Sequence, residues 1–300
     1  MNKQPLVSVV IPTYNRDKYV KRVISNVFSQ TYKNIEAIIV DDSSNHKIKK
    51  ILLTIQTKNN RVIYIKNKIK LGFTQSLNKG INAAKGKYIA RIDDDDYWCD
   101  KDKLKKQVEF LENNLDYVLT SGGMIAVNKK GYKCSKRLPP QTDKEIRNFM
   151  LFDCLIPHSS VVFKKDVWKI LGGYDQRLDP AEAEDWDLWM RMGTIGKIYS
   201  FQEYFVYCLW DKDGKTNKYK SLKFNLKLRK KYRNEYPNFW KAYSLGWAYY
   251  FYYFIPFKQL VRPINRSLKN IFFRYKVYEK LKDKKFESIK NLFFRKNIYK

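Results

Sequence analysis

Glycine is scarce in this 300-residue chain, with 12 residues, and none of it falls in a regular period, so collagen-like and flexible-linker readings fail. Histidine occurs only twice, at His46 and His158. The four cysteines (Cys99, Cys134, Cys154, Cys208) are far apart with no CxxC pair, which argues against a disulfide framework or zinc site and fits a reducing compartment. No uncharged apolar run reaches 18 residues, so a standard transmembrane helix is not expected. Met1 to Leu6 has no long apolar stretch after its lysine, and no signal peptide is expected. Acidic residues are outnumbered two to one, 30 against 60 Lys+Arg, for a net charge of +30.

What is present suits a globular protein. Hydrophobic residues make up 44% and aromatics 16%, enough for a sizeable core and too many for a disordered chain. The excess charge is uneven: residues 211–300 carry 25 Lys+Arg against 6 Asp+Glu, a net of +19, and residues 1–210 only +11. Nucleic acid, anionic lipid and phosphate-bearing substrates all suit such a surface. The abundance of Lys, Asn, Ile and Tyr also fits an AT-rich genome.

The first 120 residues alternate strand and helix signals. Strands are expected at 6–12, 35–40, 61–65 and 87–92, and helices at 18–30, 48–55 and 73–84. Continuous apolar strands separated by helices argue for an α/β fold with a parallel sheet covered on both faces. Ligands bind such sheets at the carboxyl ends of the strands. Thr13-Tyr14-Asn15, Asp41-Asp42 and Asp93–Asp96 fall there. Further on, 117–121 and 159–163 read as strands, 166–171 as a short helix ended by Gly172-Gly173, and 185–192 as an amphipathic helix.

Four carboxylates in a row, Asp93-Asp94-Asp95-Asp96, repel one another unless a cation or solvent relieves them. Mg²⁺ commonly takes one or two carboxylates plus substrate phosphates. The bland reading is an acidic loop capping a helix that starts near Lys101. Asp42 suits a ribose or base contact, or a turn capped by Ser43 or Ser44. Glu184-Asp185 opens the amphipathic helix as a cap or as a positioned general base. His158 precedes a strand and is read as structural more readily than catalytic; His46 is assigned no role. Neither G-x-G-x-x-G nor G-x-x-x-x-G-K-[ST] occurs, so dinucleotide-fold and P-loop fingerprints are absent.

Taken in order, these segments resemble glycosyltransferase family 2, the inverting nucleotide-sugar transferases of the GT-A fold. The resemblance runs over residues 6–210: Val7–Asn15, Ser29-Gln30-Thr31-Tyr32, Val40-Asp41-Asp42-Ser43-Ser44, Gly86–Asp96 ending in a D-x-D motif, Gly172-Gly173-Tyr174-Asp175, and Glu184–Arg191. It implies a single Rossmann-like GT-A domain with a mostly parallel central sheet, over residues 1–215. A mainly helical, basic and aromatic-rich extension would follow over 216–300. It further implies that Pro12, Tyr14 and Asp42 line the nucleotide. Asp95 would be the direct ligand of Mn²⁺ or Mg²⁺ together with Asp93, with Asp93 or Asp94 facing ribose or diphosphate. Asp185 would be the catalytic base, with Glu184 and His158 on the acceptor side. The donor would be a nucleotide-diphosphate sugar, a UDP-sugar first, and the acceptor a glycan or lipid-linked hydroxyl.

Two departures stand out. Ser76-Leu77-Asn78 lies where many relatives have A-R-N, which removes an arginine contact to the diphosphate that Lys70 or Lys79 would have to replace. Gln259-Leu260-Val261-Arg262-Pro263 has proline where processive members carry tryptophan, which favours transfer of one sugar. A non-catalytic nucleotide-sugar or carbohydrate binding module on the same fold is the alternative. A nucleotidyltransferase would need a glycine- and basic-rich loop that Pro12-Thr13-Tyr14-Asn15 does not form.

The aromatic run Trp247–Phe257 and the basic amphipathic stripe from Leu260 to Lys280 suit a helix lying in a membrane interface. A helix packed on the catalytic domain is the competing reading. The expected setting is the cytoplasm, peripheral on the inner face of the plasma membrane, in bacterial surface-polysaccharide or glycolipid synthesis. No motif supports nucleic-acid binding.

Overall fold

A computed structural model of the chain describes residues 4–128, 131–178, 183–209, 218–254 and 278–280. The first strands form where the sequence is continuously apolar. β1 (Val7–Thr13) and β2 (Ile35–Asp41) are buried along their whole length and pair in parallel, Val7 with Ile35 through Thr13 with Asp41. β3 (Val62–Lys66) continues the sheet beyond β2, and β4 (Tyr88–Arg91) flanks β1, both in parallel. Between them run α1 (Asp17–Phe28), α2 (Lys47–Gln56) and α3 (Phe73–Ala83).

Alternation along the strands divides the core into two layers. Val7, Val9 and Ile11 pack with Val20, Val23, Ile24 and Val27 of α1. Val10, Ile38 and Val40 pack with Leu77 and Ile81 of α3. Gly80 lets α3 lie close on the sheet, since a Cβ there would meet Val10 Cγ1 at 2.6 Å and Val40 Cγ2 at 2.9 Å.

After the two-residue β5 (Tyr97–Trp98) and α4 (Lys103–Asn113) come β6 (Tyr117–Val127), β7 (Lys133–Arg137) and α5 (Asp143–Phe149). A 3₁₀ turn at His158–Ser160 leads into β8 (Val162–Lys164). The segment 159–163, expected as a strand, is therefore half turn, because the Ser160 amide is held by the Pro157 carbonyl at 3.0 Å. α6 (Lys165–Ile170), α7 (Glu184–Ile195) and β9 (Lys197–Leu209) follow. β8 is antiparallel to both β4 and β6 and is the reversed strand between them, and β6 pairs in parallel with β9. The result is the expected mixed α/β architecture with a mostly parallel central sheet.

Past residue 217, α8 (Lys218–Lys231) and α9 (Phe239–Phe254) pack against the sheet domain. Leu228, Tyr232, Tyr236, Ala242 and Leu245 enter the same apolar cluster as Val10 and Leu77. Asp187 of α7 pins them, accepting from Arg191 Nε at 2.8 Å, Lys231 Nζ at 2.7 Å and the Tyr232 hydroxyl at 2.6 Å. The stripe from Leu260 lies outside the described residues except at its end. There Tyr278–Lys280 forms a short strand, β10, antiparallel to β7, which corrects the helical expectation for those three positions. A strand edge at β7 supplies backbone partners that an isolated helix end would lack.

Asp187 has no exposed surface, so removing its carboxylate strands the Tyr232 hydroxyl and Arg191. Asp187→Ala should lower stability by roughly 1–3 kcal/mol, the cost of stranding buried partners, in urea unfolding of the full chain. A change within about 0.5 kcal/mol, the range of an ordinary surface substitution, would contradict this role.

Candidate active site

Three loops converge at the carboxyl ends of β1, β2 and β4, and each is tied to the next. Asn15 has φ 55°, a left-handed conformation that asparagine tolerates, and its amide donates to Ser43 Oγ at 2.7 Å. Asp42 accepts from Asn67 Nδ2 at 2.9 Å and from the amides of Leu71 at 2.8 Å and Gly72 at 2.9 Å. It thereby folds the 67–72 loop under the first strands, and Gly72, at φ 90°, opens α3. Pro12 is buried within β1, whereas Tyr14 is 43% exposed with the Lys70 ammonium 4.4 Å from its ring centroid. Lys79 Nζ donates to Asn67 Oδ1 at 2.8 Å.

The four aspartates resolve their repulsion by facing different partners. Asp93 is held in a two-pronged pair by Arg91, a guanidinium with no exposed surface. Asp94 accepts from Thr13 Oγ1 at 2.6 Å and Arg16 Nη1 at 3.0 Å. Asp95 lies 2.5 Å from Arg16 Nη1. Asp96 turns inward to Ser159 Oγ at 2.5 Å and the Leu209 amide at 3.2 Å. Burial pushes the Asp94 carboxyl up to about 6, against the hydrogen bond from Thr13. Burial and the charge of Asp93 raise Asp95 as well, and raise Asp96 far more. Asp96 is thus a strut, Asp94 is buried with it, and the accessible side of the cluster is Asp93 and Asp95.

Among the described residues no three His, Cys, Asp or Glu side chains close into a metal cage. The donors still fit a hard divalent ion. Asp95 and Asp93 have side chains 17% and 34% exposed and offer only oxygens. Mg²⁺-type sites use one or two carboxylates and complete the shell with phosphate oxygens and water.

Asp185 sits in the first turn of α7, partly exposed, with Oδ1 accepting from the Trp186 amide at 2.7 Å and Oδ2 facing Cys154 Sγ at 3.4 Å. Burial raises its pKa above the usual carboxylate value. Glu184 beside it is buried. His158 Nε2 shares a 2.7 Å hydrogen bond with the Tyr174 hydroxyl inside a box of Phe73, Tyr174 and Trp189 rings. Burial, and then Arg91, hold its pKa well below 6.5, so the ring is neutral.

Sequence reading missed Arg91, Arg16 and Ser159. The signal for Arg91 was available: a lone cation in the apolar run Tyr88–Ile92, directly before four carboxylates. Ser159 carries no pattern of its own. Its hydroxyl links Asp96, the Asp93 amide at 3.1 Å and Arg91 at 3.2 Å only through folding.

A family model described as "Glycosyl transferase family 2" matches residues 8–171. The chain belongs to glycosyltransferase family 2. An uncharacterised glycosyltransferase of Methanocaldococcus jannaschii is 34% identical over 263 residues, covering 83% of this chain and 89% of its own. Among solved structures, the chain is similar to the mannosyltransferase PcManGT from Pyrobaculum calidifontis in complex with GDP-Man and Mn²⁺. The TM-score is 0.62 at 15% identity over 90% of this chain and 75% of that one. It is also similar to S. aureus TarS 1–349 in complex with UDP-GlcNAc, with a TM-score of 0.55 at 16% identity over 75% of this chain and 66% of that one. At such identities the two likenesses show the fold, GT-A.

In this glycosyltransferase, the raised pKa of Asp94 makes a test of its surroundings. The unfolded carboxyl titrates near 3.9. Holding the charge in the fold therefore costs stability that appears as pH rises from about 4 through about 6. In chelator-treated protein, the stability of Asp94→Asn relative to wild type should be about 1 kcal/mol greater at pH 7 than at pH 5. Urea unfolding at the two values checks it, and an equal gap at both pH values would show that Asp94 is not desolvated.

Proposed function

We propose that the chain transfers a single sugar, with inversion, from a nucleotide-diphosphate sugar to an acceptor hydroxyl. The observation that carries the reading is that two acidic groups lie within the field of the buried Arg91 guanidinium: Asp93 at the end of β4, which pairs with it directly, and Asp185 at the start of α7, whose ionised form its charge favours. Pro12, Tyr14, Asp42 and Asp94 surround the nucleotide in this reading. Asp95 with Asp93 holds Mn²⁺ or Mg²⁺. The nucleotide sugars and Mn²⁺ bound by the two GT-A neighbours support a UDP- or GDP-sugar donor and a divalent ion. When bound, the ion supplies positive charge against the diphosphate leaving group.

Asp185 takes the proton of the acceptor hydroxyl, which then attacks the anomeric carbon on the face opposite the departing nucleotide. Its raised pKa makes it a better proton acceptor than an ordinary surface aspartate. Glu184 and the neutral His158–Tyr174 pair shape the acceptor side, and much of the rate comes from holding donor and acceptor in line.

Asp95→Asn should abolish Mn²⁺-dependent donor affinity in calorimetry with UDP- and GDP-sugars while circular dichroism stays unchanged. Asp185→Asn should leave that affinity intact and lower turnover by about 10²–10⁴. Loss of donor binding in step with turnover in Asp185→Asn would make this carboxylate a helix cap instead. Donor binding without turnover in wild type, with every acceptor class tried, would favour the binding-module alternative.

The acceptor in this reading is a glycan or lipid-linked hydroxyl at an anionic membrane surface, in surface-polysaccharide or glycolipid synthesis. α9 supports it. Trp240, Trp247 and Phe251 are 75%, 37% and 61% exposed along one helix, with the Trp247 and Phe251 rings stacked 5.5 Å apart. No helix among the described residues is long and apolar enough to cross a membrane. Because Ala242 and Leu245 are buried in the core, substitution isolates this surface better than truncation. The full chain should co-sediment with vesicles rich in anionic lipid, less so at high salt. The Trp240→Ser, Trp247→Ser, Phe251→Ser combination should weaken that binding at least tenfold, the worth of about 1.4 kcal/mol of lost apolar burial. Unchanged binding in the triple variant would move the contact elsewhere.

A further inference from the structure

The segment between α5 and the 3₁₀ turn carries Cys154, a residue that neither a disulfide nor a metal accounts for. Its thiol points at the carboxylate proposed as the base, with Sγ 3.4 Å from Asp185 Oδ2. The segment is held from two other elements. The Arg137 guanidinium of β7 donates to the Cys154 carbonyl at 2.5 Å. Arg229 of α8, only 5% exposed, donates from Nε to the Leu151 carbonyl and from Nη2 to the Phe152 carbonyl, both at 2.8 Å. The same guanidinium lies 5.3 Å from the ring centroid of Trp186, the residue whose amide holds Asp185 Oδ1.

We infer that Cys154 is a positioning residue for Asp185, its thiol and the Trp186 amide fixing the two carboxylate oxygens, and that Arg229 holds the loop that presents the thiol. The inference rests on Asp185 being the base. A base must keep one lone pair aimed at the incoming hydroxyl, and a donor on each oxygen fixes the plane of the carboxylate. The thiol suits this as a donor because burial, and then the Asp185 charge, raise its pKa well above 9. The other charged and titratable groups that act electrostatically on Asp185 are Arg91 from β4, Arg137 from β7 and Tyr174 from the turn after α6, with Glu184 the neighbouring residue on its own helix.

The test is a titration of the full chain labelled with ¹³C at the aspartate carboxyls, the Asp185 signal being assigned by its loss in Asp185→Asn. A hydrogen bond to the ionised form lowers an acid's pKa, so Cys154→Ala should raise the Asp185 value by roughly half a unit or more. Cys154→Ser, which keeps a donor, should return it toward wild type. Arg229→Lys loses the two-carbonyl fork and should shift it in the same direction as Cys154→Ala. Turnover is read in parallel as Mn²⁺-dependent hydrolysis of whichever of UDP-glucose, UDP-N-acetylglucosamine and GDP-mannose the full chain cleaves fastest. There Cys154→Ala should lower kcat about three- to tenfold with the donor KM unchanged, the pattern of a lost transition-state interaction.

An unmoved Asp185 titration in Cys154→Ala, or a serine variant no better than alanine, overturns the role of the thiol. An unmoved titration in Arg229→Lys overturns that of Arg229. Full hydrolysis in Asp185→Asn instead removes the base assignment, and the titration still decides whether the thiol holds that carboxylate.

Discussion

A guanidinium with no exposed surface, Arg91, is the interaction on which the arrangement of the site depends. Burying a charge costs several kcal/mol unless it is paired and hydrogen-bonded. The chain meets that cost by turning Asp93 back onto the guanidinium and by placing Ser159 against it. This fixes where β4 ends and draws the His158–Ser160 turn under the aspartates. Burial, and then this positive charge, keep His158 from protonating, while the same charge favours the ionised form of Asp185 against the burial that raises its pKa.

Around that fixed point the remaining carboxylates separate by depth. Asp96 spends its oxygens on Ser159 and the Leu209 amide, joining β9 to the loop after β4. Asp94 spends its own on Thr13 and Arg16, joining the loop after β1. The Asp95 carboxylate pairs with Arg16, whose side chain is 48% exposed. An exposed partner can withdraw to water at little cost, whereas a buried one cannot. In the proposed reading Asp95, whose Arg16 partner is exposed, is thus the carboxylate most easily transferred to a substrate-bound cation, a physical reason, independent of any resemblance, for proposing it as the ligand.

The first half of the fold was legible because its strands are buried on both faces. Runs such as Val7–Thr13 and Ile35–Asp41 leave only helix or buried strand open, and their length decides between them. The Ser29-Gln30-Thr31-Tyr32 segment was legible as a motif but not in its purpose. Gln30 donates to the Asp100 carbonyl at 2.8 Å and accepts from the Leu104 amide at 3.1 Å, so it clamps the turn after β5. β7, α5 and the long β9 were not read. Lys133–Arg137 is a half-buried strand with three cations and no apolar alternation, and Lys197–Leu209 owes its length to β6, which it follows in parallel, rather than to its own pattern. Tertiary pairing decides such strands, and no local window contains it. Within the site the acidic residues could be read and their partners could not, because Thr13, Ser159 and Cys154 acquire meaning only from what the fold sets beside them.

The C-terminal helices change what the basic charge of this region means. A net of +19 over residues 211–300 reads as a surface seeking an anion, yet one of its cations, Arg229, faces inward onto two carbonyls and the Trp186 ring. Desolvation pulls that guanidinium down to about 10, a cost that only a structural return would justify. The return is rigidity of α7. Arg229 supports Trp186, Lys231 and Tyr232 support Asp187, and the Tyr236 hydroxyl donates to the Met190 carbonyl at 2.6 Å. These contacts follow one helix onward from its first turn, which carries Asp185. A carboxylate at a helix N-terminus is held no more firmly than the helix itself. α8 therefore belongs to the structure that holds the proposed base, and the aromatic face of α9 is joined to it through the same packed pair of helices.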